Sequence, residues 1–422
     1  MSQRYDVIIV GAGISGAALA CALARAHSQL RIALLEAQPL REGWPPINTA
    51  IDGFDARVSA LTTASCQLLE QLEDWPEIAS RRVSPFRDML VWDAEGTGQV
   101  HFEAADVRAE QLGFIVENRL IVAALVNSAR QLAAIDIIDA VPVAGIRLPG
   151  AAAVTALEPD DELSQITLDD GRQLLAPLVV AADGANSVLR RQLDMPVREW
   201  DYQQNAIVCT VQLEQSHQST AWQRFTPTGP LAFLPLSGEP EGGESDGNGS
   251  YCSIIWSQHR EQAEALMQLD DEAFREALAR NFERRLGDIV GMSKRFSFPL
   301  MQRHAVDYVL PGFALVADAA HAIHPLAGQG INLGLADVRV LSDCVLAAVA
   351  RGQSAGDLAV LRRYQRQRKG DNLAMMAAVE AFKRAFEQQP LPLHWLRNTG
   401  MNWFDRQRGL KNRVIKYAMG IE

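Results

Sequence analysis

The sequence predicts an α/β protein with a Rossmann-like domain, a β-rich domain inserted into it and a helical C-terminal tail. Three observations predict this fold class. A short apolar run, Tyr5–Val10, leads into a glycine-rich turn and then into helix-forming residues. The stretch from Ala206 to Trp256 has the alternating pattern of strands, and the residues after Leu361 have helical periodicity.

The composition is that of a globular protein with several packed units. The chain has 422 residues, of which 48% are hydrophobic and 22% are charged, enough to bury a sizeable core. Its five cysteines are scattered and form no C-x-x-C pair, so we expect neither disulfides nor a thiolate metal site. The start of the chain lacks a signal-peptide pattern, and no apolar run reaches membrane-spanning length. A soluble cytoplasmic protein is therefore expected.

The charge of the chain is negative overall but unevenly spread. The formal net charge is -11, which argues against nucleic acid as a partner because phosphate contacts need a basic surface. Residues 361–422 nevertheless carry 13 Lys or Arg and only 5 Asp or Glu. Such a basic segment is typical of a solvated helical face, a surface that docks a partner or a contact with a membrane surface.

The N-terminal segment predicts a β-α-β unit that binds a dinucleotide. Gly11, Gly13 and Gly16 form a G-x-G-x-x-G pattern between a strand and a helix. Glycines at this spacing allow a tight turn and a close approach of the backbone to a diphosphate, which the helix N-terminus stabilises. Glu36 follows the second strand, where a carboxylate accepts hydrogen bonds from ribose hydroxyls. We expect this turn, including Ser15, and Glu36 to bind the cofactor, although the pattern alone does not separate FAD from NAD.

Later segments predict how the two domains are divided. Helical patterns at Asn118–Ala134 and Gly330–Ala350 and a buried strand at Leu178–Ala182 continue the first domain. Strand patterns and a helix from Asp270 to Leu286 indicate the inserted domain. We assign residues 1–85, 105–190 and 290–360 to the cofactor-binding domain, 86–104 and 191–289 to the substrate-binding domain, and 361–422 to a C-terminal helical segment.

Two further strand-turn-helix segments carry acids at positions suited to a cofactor. In one, an apolar strand leads into Asp183-Gly184, a pattern that ordinary turns also show. In the other, a buried strand delivers Asp318, and a loop rich in proline and glycine opens the next helix. Backbone amides in such a loop can approach a flat polar ring, and the helix dipole stabilises negative charge on it. The residues expected around this helix start are Gly328, Gly330, Ile331 and Asn332.

Taken together, these motifs resemble the class A FAD-dependent aromatic hydroxylases, the para-hydroxybenzoate hydroxylase-like monooxygenases. The resemblance covers essentially the whole chain and implies an FAD-binding domain of the glutathione-reductase type. It implies that Asp183 and Gly184 contact both the flavin region and the nicotinamide donor, and that Asp318 binds the ribityl chain. Arg57, within Arg-Val-Ser-Ala-Leu, matches the family arginine that lies near the cofactor.

Within that family, four stretches resemble the ubiquinone-biosynthesis hydroxylases: 115–119, 222–227, 231–236 and 324–330. The resemblance implies that Arg119 lies at the cofactor site. It also implies ring hydroxylation of a polyprenylated phenol or benzoquinol through a flavin C4a-hydroperoxide, with the ring carbon and prenyl length left open. NAD(P)H is the expected electron donor, and it would bind without a Rossmann unit of its own because the chain has one G-x-G-x-x-G pattern.

Few catalytic side chains are expected, because a flavin supplies the oxygen chemistry itself. His324 and Pro325 are our candidates for groups near the ring. His321 and His324 are three residues apart, a spacing that could ligate a metal, but no carboxylate or thiolate completes a zinc pattern. We therefore expect no metal, and a role for these histidines near the flavin or in ordering the loop.

The chain departs from the family pattern at two positions. The family usually has Gly-Asp where this chain has Ala317-Asp318, and a threonine where this chain has Ala322. Because alanine carries a methyl group that glycine lacks, Ala317 is expected to crowd the ribityl chain.

Two features leave alternatives open. Aromatic residues on the inserted strands either line a pocket for an apolar substrate or belong to the core. Between Trp403 and Ala418, apolar residues recur at helical spacing beside basic ones, as in an interfacial helix or a packed helix with a basic outer face. A prenylated substrate makes peripheral membrane contact, or docking in a ubiquinone-biosynthesis multiprotein complex, a reasonable hypothesis. The aromatic residues concerned are Trp222, Phe225, Phe233 and Trp256.

Two other functions are compatible with the sequence. One is a different flavin-dependent reaction on the same fold, such as halogenation or reduction, although the chain has no Trp-x-Trp halogenase motif. The other is a non-catalytic FAD-binding subunit that scaffolds a quinone-biosynthesis complex. The scaffold can be told apart from a hydroxylase by whether a substrate analogue accelerates oxidation of the electron donor.

Overall fold

The computed structural model of the chain describes residues 2–48, 50–150, 159–238, 250–323, 328–386 and 391–420. The strands are β1 (Gln3–Arg4), β2 (Val7–Val10), β3 (Ile32–Leu35), β4 (Val58–Thr62), β5 (Val83–Phe86), β6 (Asp88–Asp93), β7 (Gln99–Glu103), β8 (Gly113–Glu117), β9 (Ile135–Ile138), β10 (Val143–Arg147), β11 (Ser164–Leu168), β12 (Gln173–Ala176), β13 (Leu178–Ala181), β14 (Val197–Leu213), β15 (Thr220–Thr226), β16 (Gly229–Leu236), β17 (Tyr251–His259), β18 (Ile289–Met292), β19 (Phe296–Ala305), β20 (Val309–Leu310), β21 (Phe313–Leu315) and β22 (His321–Ala322). The helices are α1 (Ile14–Ala26), α2 (Thr63–Gln71), α3 (Trp75–Ala79), α4 (Asn118–Gln131), α5 (Val188–Gln192), α6 (Arg260–Gln268), α7 (Asp271–Asn281), α8 (Gly330–Val349), α9 (Leu358–Phe386), α10 (Leu391–Arg406) and α11 (Arg408–Met419). Short 3-10 helices lie at Ile51–Gly53, Ala104–Val107, Pro159–Glu162 and Ala317–Ala319.

A six-stranded sheet forms the centre of the first domain. Its order is β20-β21-β13-β2-β3-β9, and all its strand pairs are parallel except β20 with β21. Helices α1, α4 and α8 pack together on this domain. A parallel sheet covered on both faces needs apolar residues throughout, and every residue of β2, β3 and β13 is buried. The carboxyl ends of β2, β3, β13 and β21 share one edge, so the motifs that follow these strands meet there.

A nine-stranded sheet forms the second domain. Its order is β22-β19-β14-β17-β16-β15-β6-β7, with β18 beside β14. One face packs on α6 and α7, with Phe274 and Phe282 of the helical layer in the same cluster. The other face turns toward the first domain, where Leu236 packs with Ile115 of β8. This second face is therefore the one that can meet a cofactor held by the first domain.

Of the four aromatic residues on the inserted strands, which are expected either to line a pocket or to belong to the core, three pack in the core and one lies on the other face of the sheet. Phe233 and Trp256 are buried on the helix-covered face, and Trp222 packs against the same cluster. Phe225 faces the opposite way, where its ring stacks on Phe386 of α9 with the centroids 4.2 Å apart. Only Phe225 of the four therefore lies on the side of the sheet that faces the first domain and the C-terminal helices.

A small sheet of β4, β8 and β5 lies between the two large ones and is anchored by a buried ion pair. The Arg82 guanidinium lies 2.6 Å from the Glu117 carboxylate, and both side chains are almost fully buried. Arg82 also donates to the carbonyl oxygens of Asn48 and Gly53, both at 2.8 Å. Because a buried charge is tolerated only when it is paired and hydrogen-bonded, this pair fixes the loop ahead of β4. A fourth sheet has the order β1-β12-β11-β10.

The helical C-terminal tail is confirmed, and it packs against the edge of the nine-stranded sheet. Helix α9 lies along α8, and α10 packs against β7. Asn398 donates to Asp93 at 3.0 Å, and the Lys411 ammonium donates to the carbonyl oxygen of His101 at 2.9 Å. Among the described residues, no helix is both long and apolar enough to cross a membrane.

The predicted elements are largely confirmed, with two differences, one in the length of a helix and one in how the strands are distributed. The predicted helix from Asp270 to Leu286 ends earlier, at Asn281. Strand β19 lies in a segment that the sequence assigns to the cofactor-binding domain, yet it pairs with β14 in the nine-stranded sheet. An apolar strand pattern does not reveal which sheet the strand joins. The predicted boundary at 289/290 therefore separates β19 from the sheet to which it belongs. The division into domains stays a prediction.

Candidate active site

The glycine-rich turn joins the carboxyl end of β2 to α1. Gly11 has a φ of +104°, and a Cβ at this position would overlap the carbonyl oxygen of Ala182. A Cβ at Gly16 would overlap the carbonyl oxygen of Gly11. At Gly13, in contrast, φ is -67° and a Cβ would meet no described atom within 4 Å. Gly11 and Gly16 are thus required by the fold, whereas Gly13 leaves open space at the helix N-terminus, where a diphosphate binds.

Glu36 lies beside that turn, just after β3. Its Oε2 accepts a hydrogen bond from the amide of Ala12 at 2.9 Å, and its Oε1 accepts one from the amide of Gln38 at 3.2 Å. The two bonds orient the carboxylate, and each oxygen keeps a lone pair for a further donor. The predicted acid and the predicted glycine turn are therefore adjacent, as ribose binding next to a diphosphate requires.

Asp183 and Gly184 follow β13 at the same edge of the sheet. The Asp183 Oδ2 accepts hydrogen bonds from the amides of Val188 and Leu189 at 2.7 and 3.3 Å. Its Oδ1 is buried and has no hydrogen-bond partner among the described residues. Buried carboxylate oxygens are normally satisfied, so this oxygen is available to a donor from a ligand. Gly184, with a φ of +80°, allows the chain to turn there.

The turn at Ala317 and Asp318 follows β21. Ala317 has a φ of +53°, a left-handed conformation that costs an L-residue about 1–2 kcal/mol. This conformation explains why a glycine suits the position. The Asp318 side chain is exposed, yet the dense protein around it raises the pKa of its carboxyl, while His321 and Arg57 act to lower that pKa.

A fully buried carboxylate, Asp337 of α8, holds this turn in place, and none of the sequence motifs predicts it. Its Oδ2 accepts from the Ala317 amide at 3.0 Å and lies 2.6 Å from the His321 Nε2. Its Oδ1 accepts from the Arg368 Nε at 2.7 Å and the Asn372 Nδ2 at 3.3 Å. An acid on the apolar face of a long helix is the sequence feature that could have revealed it.

The start of α8 is tied to β4 and α2. The Asn332 Oδ1 accepts from the Thr62 amide at 3.0 Å and from the Ser65 hydroxyl at 2.7 Å, while its Nδ2 donates to the carbonyl oxygen of Ala60 at 2.8 Å. Gly328 has a φ of +62°, and a Cβ at Gly330 would meet no described atom within 4 Å. Ile331 packs against the main core. The predicted residues of this segment thus form a fixed helix start with open space in front of it.

The two predicted arginines are placed differently. Arg57 is exposed, with its guanidinium 5.5 Å from the ring centroid of Phe298, and it is close enough to lower the pKa of Asp318. Arg119 lies 2.6 Å from the Glu117 carboxylate and donates to the carbonyl oxygen of Gly53, also at 2.6 Å. Arg119 therefore supports the loop ahead of β4, and its role toward a cofactor stays a prediction.

The two predicted catalytic residues, His324 and Pro325, lie outside the described residues. The neighbouring His321 is buried and paired with Asp337. Burial and this contact suit the predicted role of His321 in ordering the loop, since the ring nitrogen that faces Asp337 is engaged in that hydrogen bond.

An apolar cavity of about 320 Å³ lies between the nine-stranded sheet and the C-terminal helices. Val91 and Phe225 line it from the sheet, and Val379 and Ile415 from α9 and α11. Ala60, Leu61, Thr62 and Gln329 close the end that adjoins the start of α8. A cavity of this kind can bury an apolar ligand beside the predicted flavin loop.

A second, larger cavity of about 730 Å³ adjoins the first one. The two share part of their lining, including Gln329, Met375 and Tyr417. The larger cavity is also lined by the exposed cations Arg339, Arg413 and Lys416. The apolar cavity therefore has a positively charged space next to it.

These features fit FAD. The space at Gly13 and the α1 N-terminus suit a diphosphate, and the Glu36 carboxylate suits the adenosine ribose. The unpaired Oδ1 of Asp183 and the exposed carboxyl of Asp318 are further acceptors, and both follow strands that end at the same edge of the sheet as this turn. A dinucleotide with an extended polyol chain and a terminal ring has donors for these acceptors along its length.

Two family models match the chain. The model described as an FAD binding domain matches residues 136–379, which is more than half of the chain. The model described as an NAD(P)-binding Rossmann-like domain matches residues 9–40, the segment of the glycine turn and Glu36.

Characterised relatives match over nearly the full length. The 3-demethoxyubiquinol 3-hydroxylase of Escherichia coli is 35% identical over 420 residues, covering 100% of both chains. The ubiquinone hydroxylase UbiL of Rhodospirillum rubrum is 34% identical over 415 residues, covering 98% of this chain and 89% of its own. Among solved structures, PqsL of Pseudomonas aeruginosa, a probable FAD-dependent monooxygenase, has a TM-score of 0.75 at 23% identity, covering 95% of this chain and 100% of its own. The solved structure supports the same fold.

Substitutions in the glycine turn separate cofactor binding from folding. Gly13→Ala should leave the thermal unfolding midpoint of the apoprotein unchanged but weaken FAD binding about tenfold or more, because the methyl group enters only the open space. Gly16→Ala should destabilise the protein by about 1–3 kcal/mol or more, because its methyl group overlaps the backbone. Circular dichroism and fluorescence titration with FAD measure the two effects. Unchanged FAD affinity in Gly13→Ala would contradict this placement of the diphosphate.

The contact between Ala317 and Gly334 predicts a compensating pair. A Cβ at Gly334 would lie 2.8 Å from the Ala317 Cβ and 2.9 Å from the Ser15 Oγ, so Gly334→Ala should destabilise the protein by about 1–3 kcal/mol. Adding Ala317→Gly should restore much of this loss, and by more than Ala317→Gly gains alone through relief of its left-handed conformation, since the Ser15 hydroxyl can rotate away. Gly370→Ala on α9, where a Cβ meets no described atom within 4 Å, is the control. Urea unfolding that shows no gain in the double variant would contradict the packing described here.

Proposed function

We propose a substrate and a binding mode for this chain, which belongs to the FAD-dependent monooxygenase family of the ubiquinone-biosynthesis hydroxylases. The enzyme is an FAD-dependent monooxygenase with an NAD(P)H donor. Its substrate, in this proposal, is a phenol or benzoquinol with a polyprenyl tail. One atom of O₂ enters the aromatic ring and the other leaves as water, and the donor's hydride balances the electrons.

The first domain supplies the groups that hold FAD in this proposal. Gly11, Gly13, Ser15 and Gly16 surround the diphosphate, and Glu36 binds the adenosine ribose. Further residues bind the ribityl chain and the ring through polar side chains or backbone amides. They are Arg57, Arg119, Asp183, Gly184, Asp318, Gly328, Gly330, Ile331 and Asn332, with His324 and Pro325 as the residues nearest the reacting atoms.

Bound FAD supplies the activation of oxygen, and the protein supplies orientation and a dry site. The observation that carries the proposal is the apolar cavity of about 320 Å³ that ends at Ala60 and Gln329, beside the start of α8. Its sheet and helix walls are almost entirely hydrocarbon, which suits an isoprenoid chain and excludes water from the aromatic ring that carries it. The nine-stranded sheet thus acts as the substrate domain.

The outer face of α11 supports peripheral contact with a membrane, where a polyprenylated substrate partitions. Leu410, Val414 and Tyr417 are exposed and recur at i, i+4 and i+7 on one face of the helix. The exposed cations Arg413 and Lys416 flank them. An exposed apolar stripe with adjacent cations is suited to the interface of a bilayer that contains anionic lipids. Because Val414 and Tyr417 also line the apolar cavity, this contact would place the cavity near the lipid.

The reaction is tested with the FAD-loaded protein, NAD(P)H, labelled O₂ and a prenylated phenol. The expected product is the phenol with one added labelled hydroxyl oxygen, detected by mass spectrometry. The same phenol without its tail is the control, and it should react at least about tenfold more slowly at low concentration because it buries less apolar surface. Donor oxidation that yields only hydrogen peroxide with every prenylated phenol or quinol would contradict the proposal.

Membrane contact is tested by flotation with vesicles that contain anionic lipid. Serine at Leu410, Val414 and Tyr417 should lower the bound fraction severalfold, and binding should also fall at high salt. Serine at the exposed Trp200 and Val290, which lie on the substrate domain, should have no effect. Equal flotation of the wild type, the α11 variant and the control variant would contradict the proposal. If the α11 variant floats normally but no longer binds other proteins of a biosynthetic complex, the face is a docking surface.

A further inference from the structure

We infer that Gln223 is the side chain that binds a ring oxygen of the substrate and so selects an oxygenated aromatic ring. This inference rests on the proposed function and deepens it. Gln223 lies on β15, lines the apolar cavity and is only 5% exposed. No described residue forms a hydrogen bond with its carboxamide, and the amide atoms are not fully enclosed by protein, since they border the cavity. Buried amides are normally hydrogen-bonded, so this one has capacity that the protein itself does not use.

The direction of Gln223 follows from the alternation of β15. Trp222 and Arg224 point to the helix-covered face, where Arg224 forms an ion pair with Glu283 at 2.9 Å. Gln223 and Phe225 point to the opposite face and into the cavity. Pairing with β6 and β16 on both sides fixes the strand. The amide is therefore held on a rigid element, as a specificity group requires.

The other polar residues of the cavity are already solvated or bonded. The Thr62 hydroxyl bonds with Ser65, accepting from its amide at 3.3 Å and lying 3.2 Å from its Oγ. Tyr417 is 61% exposed, and Gln329 is partly exposed at the start of α8. Gln223 is thus the buried polar group of the cavity that is free to bind a ligand, among the residues the structure describes.

A neutral carboxamide suits the oxygen substituents of a phenol or quinol ring. Its NH₂ can donate to a hydroxyl or alkoxy oxygen, and its carbonyl can accept from a ring hydroxyl. Placing this single polar group in a hydrocarbon wall orients the ring relative to its tail. A site built to hydrogen-bond a substrate group rejects the analogue that lacks it, because the buried partner is then left unpaired.

The inference is tested by a cycle that combines one protein change with one ligand change. The FAD-loaded wild type and Gln223→Met are each titrated with a prenylated phenol and with the same prenylated benzene lacking the hydroxyl, following the flavin absorbance. Methionine has a similar length and removes both hydrogen-bonding groups. The wild type should prefer the phenol by roughly tenfold to a hundredfold, and Gln223→Met should reduce this preference to less than about threefold.

Gln258→Met is the matched control, because Gln258 is also a buried glutamine of this sheet, 4% exposed on β17, and is outside the cavity lining. It should keep the wild-type preference. Equal affinity of the wild type for the two ligands, or an unchanged preference in Gln223→Met, would overturn the inference. Neither result would contradict the proposed function, which the hydroxylation assay tests separately. Failure of the wild type to bind either ligand would overturn both this inference and the proposed function.

Discussion

The buried carboxylate of Asp337 is the constraint on which the geometry of the site depends. Burial alone would raise the pKa of this carboxyl, but His321 and Arg368 hold it below its usual value, so it carries a negative charge. An unpaired buried charge is strongly unfavourable, and the pairing therefore fixes three segments at once. The turn at Ala317, the strand that contains His321 and the long helix α9 all meet at this one side chain.

The contacts of Asp337 also connect to the apolar cavity, through α9. The left-handed turn at Ala317 packs against Gly334, which also lies near Ser15 of α1, and it places Asp318 just after the carboxyl end of β21. Helix α9, held through Arg368, continues to Phe386, which stacks on Phe225 of the nine-stranded sheet. The same helix thus connects the edge of the parallel sheet where β21 ends to the wall of the apolar cavity. The proposed cofactor site and the proposed substrate site are therefore both held by α9.

Much of this could be predicted from the sequence, because local patterns carry it. The glycine turn, the buried strands and the long helices each depend on neighbouring residues and are confirmed as structural elements, whereas the role of Glu36 toward a cofactor stays a prediction. The Asp337 network could not be predicted, since it joins Asp337 to residues that are 16 to 35 positions away. Strand alternation likewise predicts that Gln223 and Trp222 lie on opposite faces of the sheet, but it does not reveal which face lines a cavity. Arg119 shows a further limit, because a motif position does not reveal that the side chain supports a loop.

The central claim is that the apolar cavity beside the start of α8 holds the tail of a prenylated aromatic substrate. It is tested most directly by the dissociation constants of the FAD-loaded protein for one phenol bearing no isoprene unit, one unit and two units. Each unit buried in the cavity should tighten binding by about tenfold or more, since every buried methylene contributes about 0.8 kcal/mol. Equal affinity for the three phenols would contradict the claim.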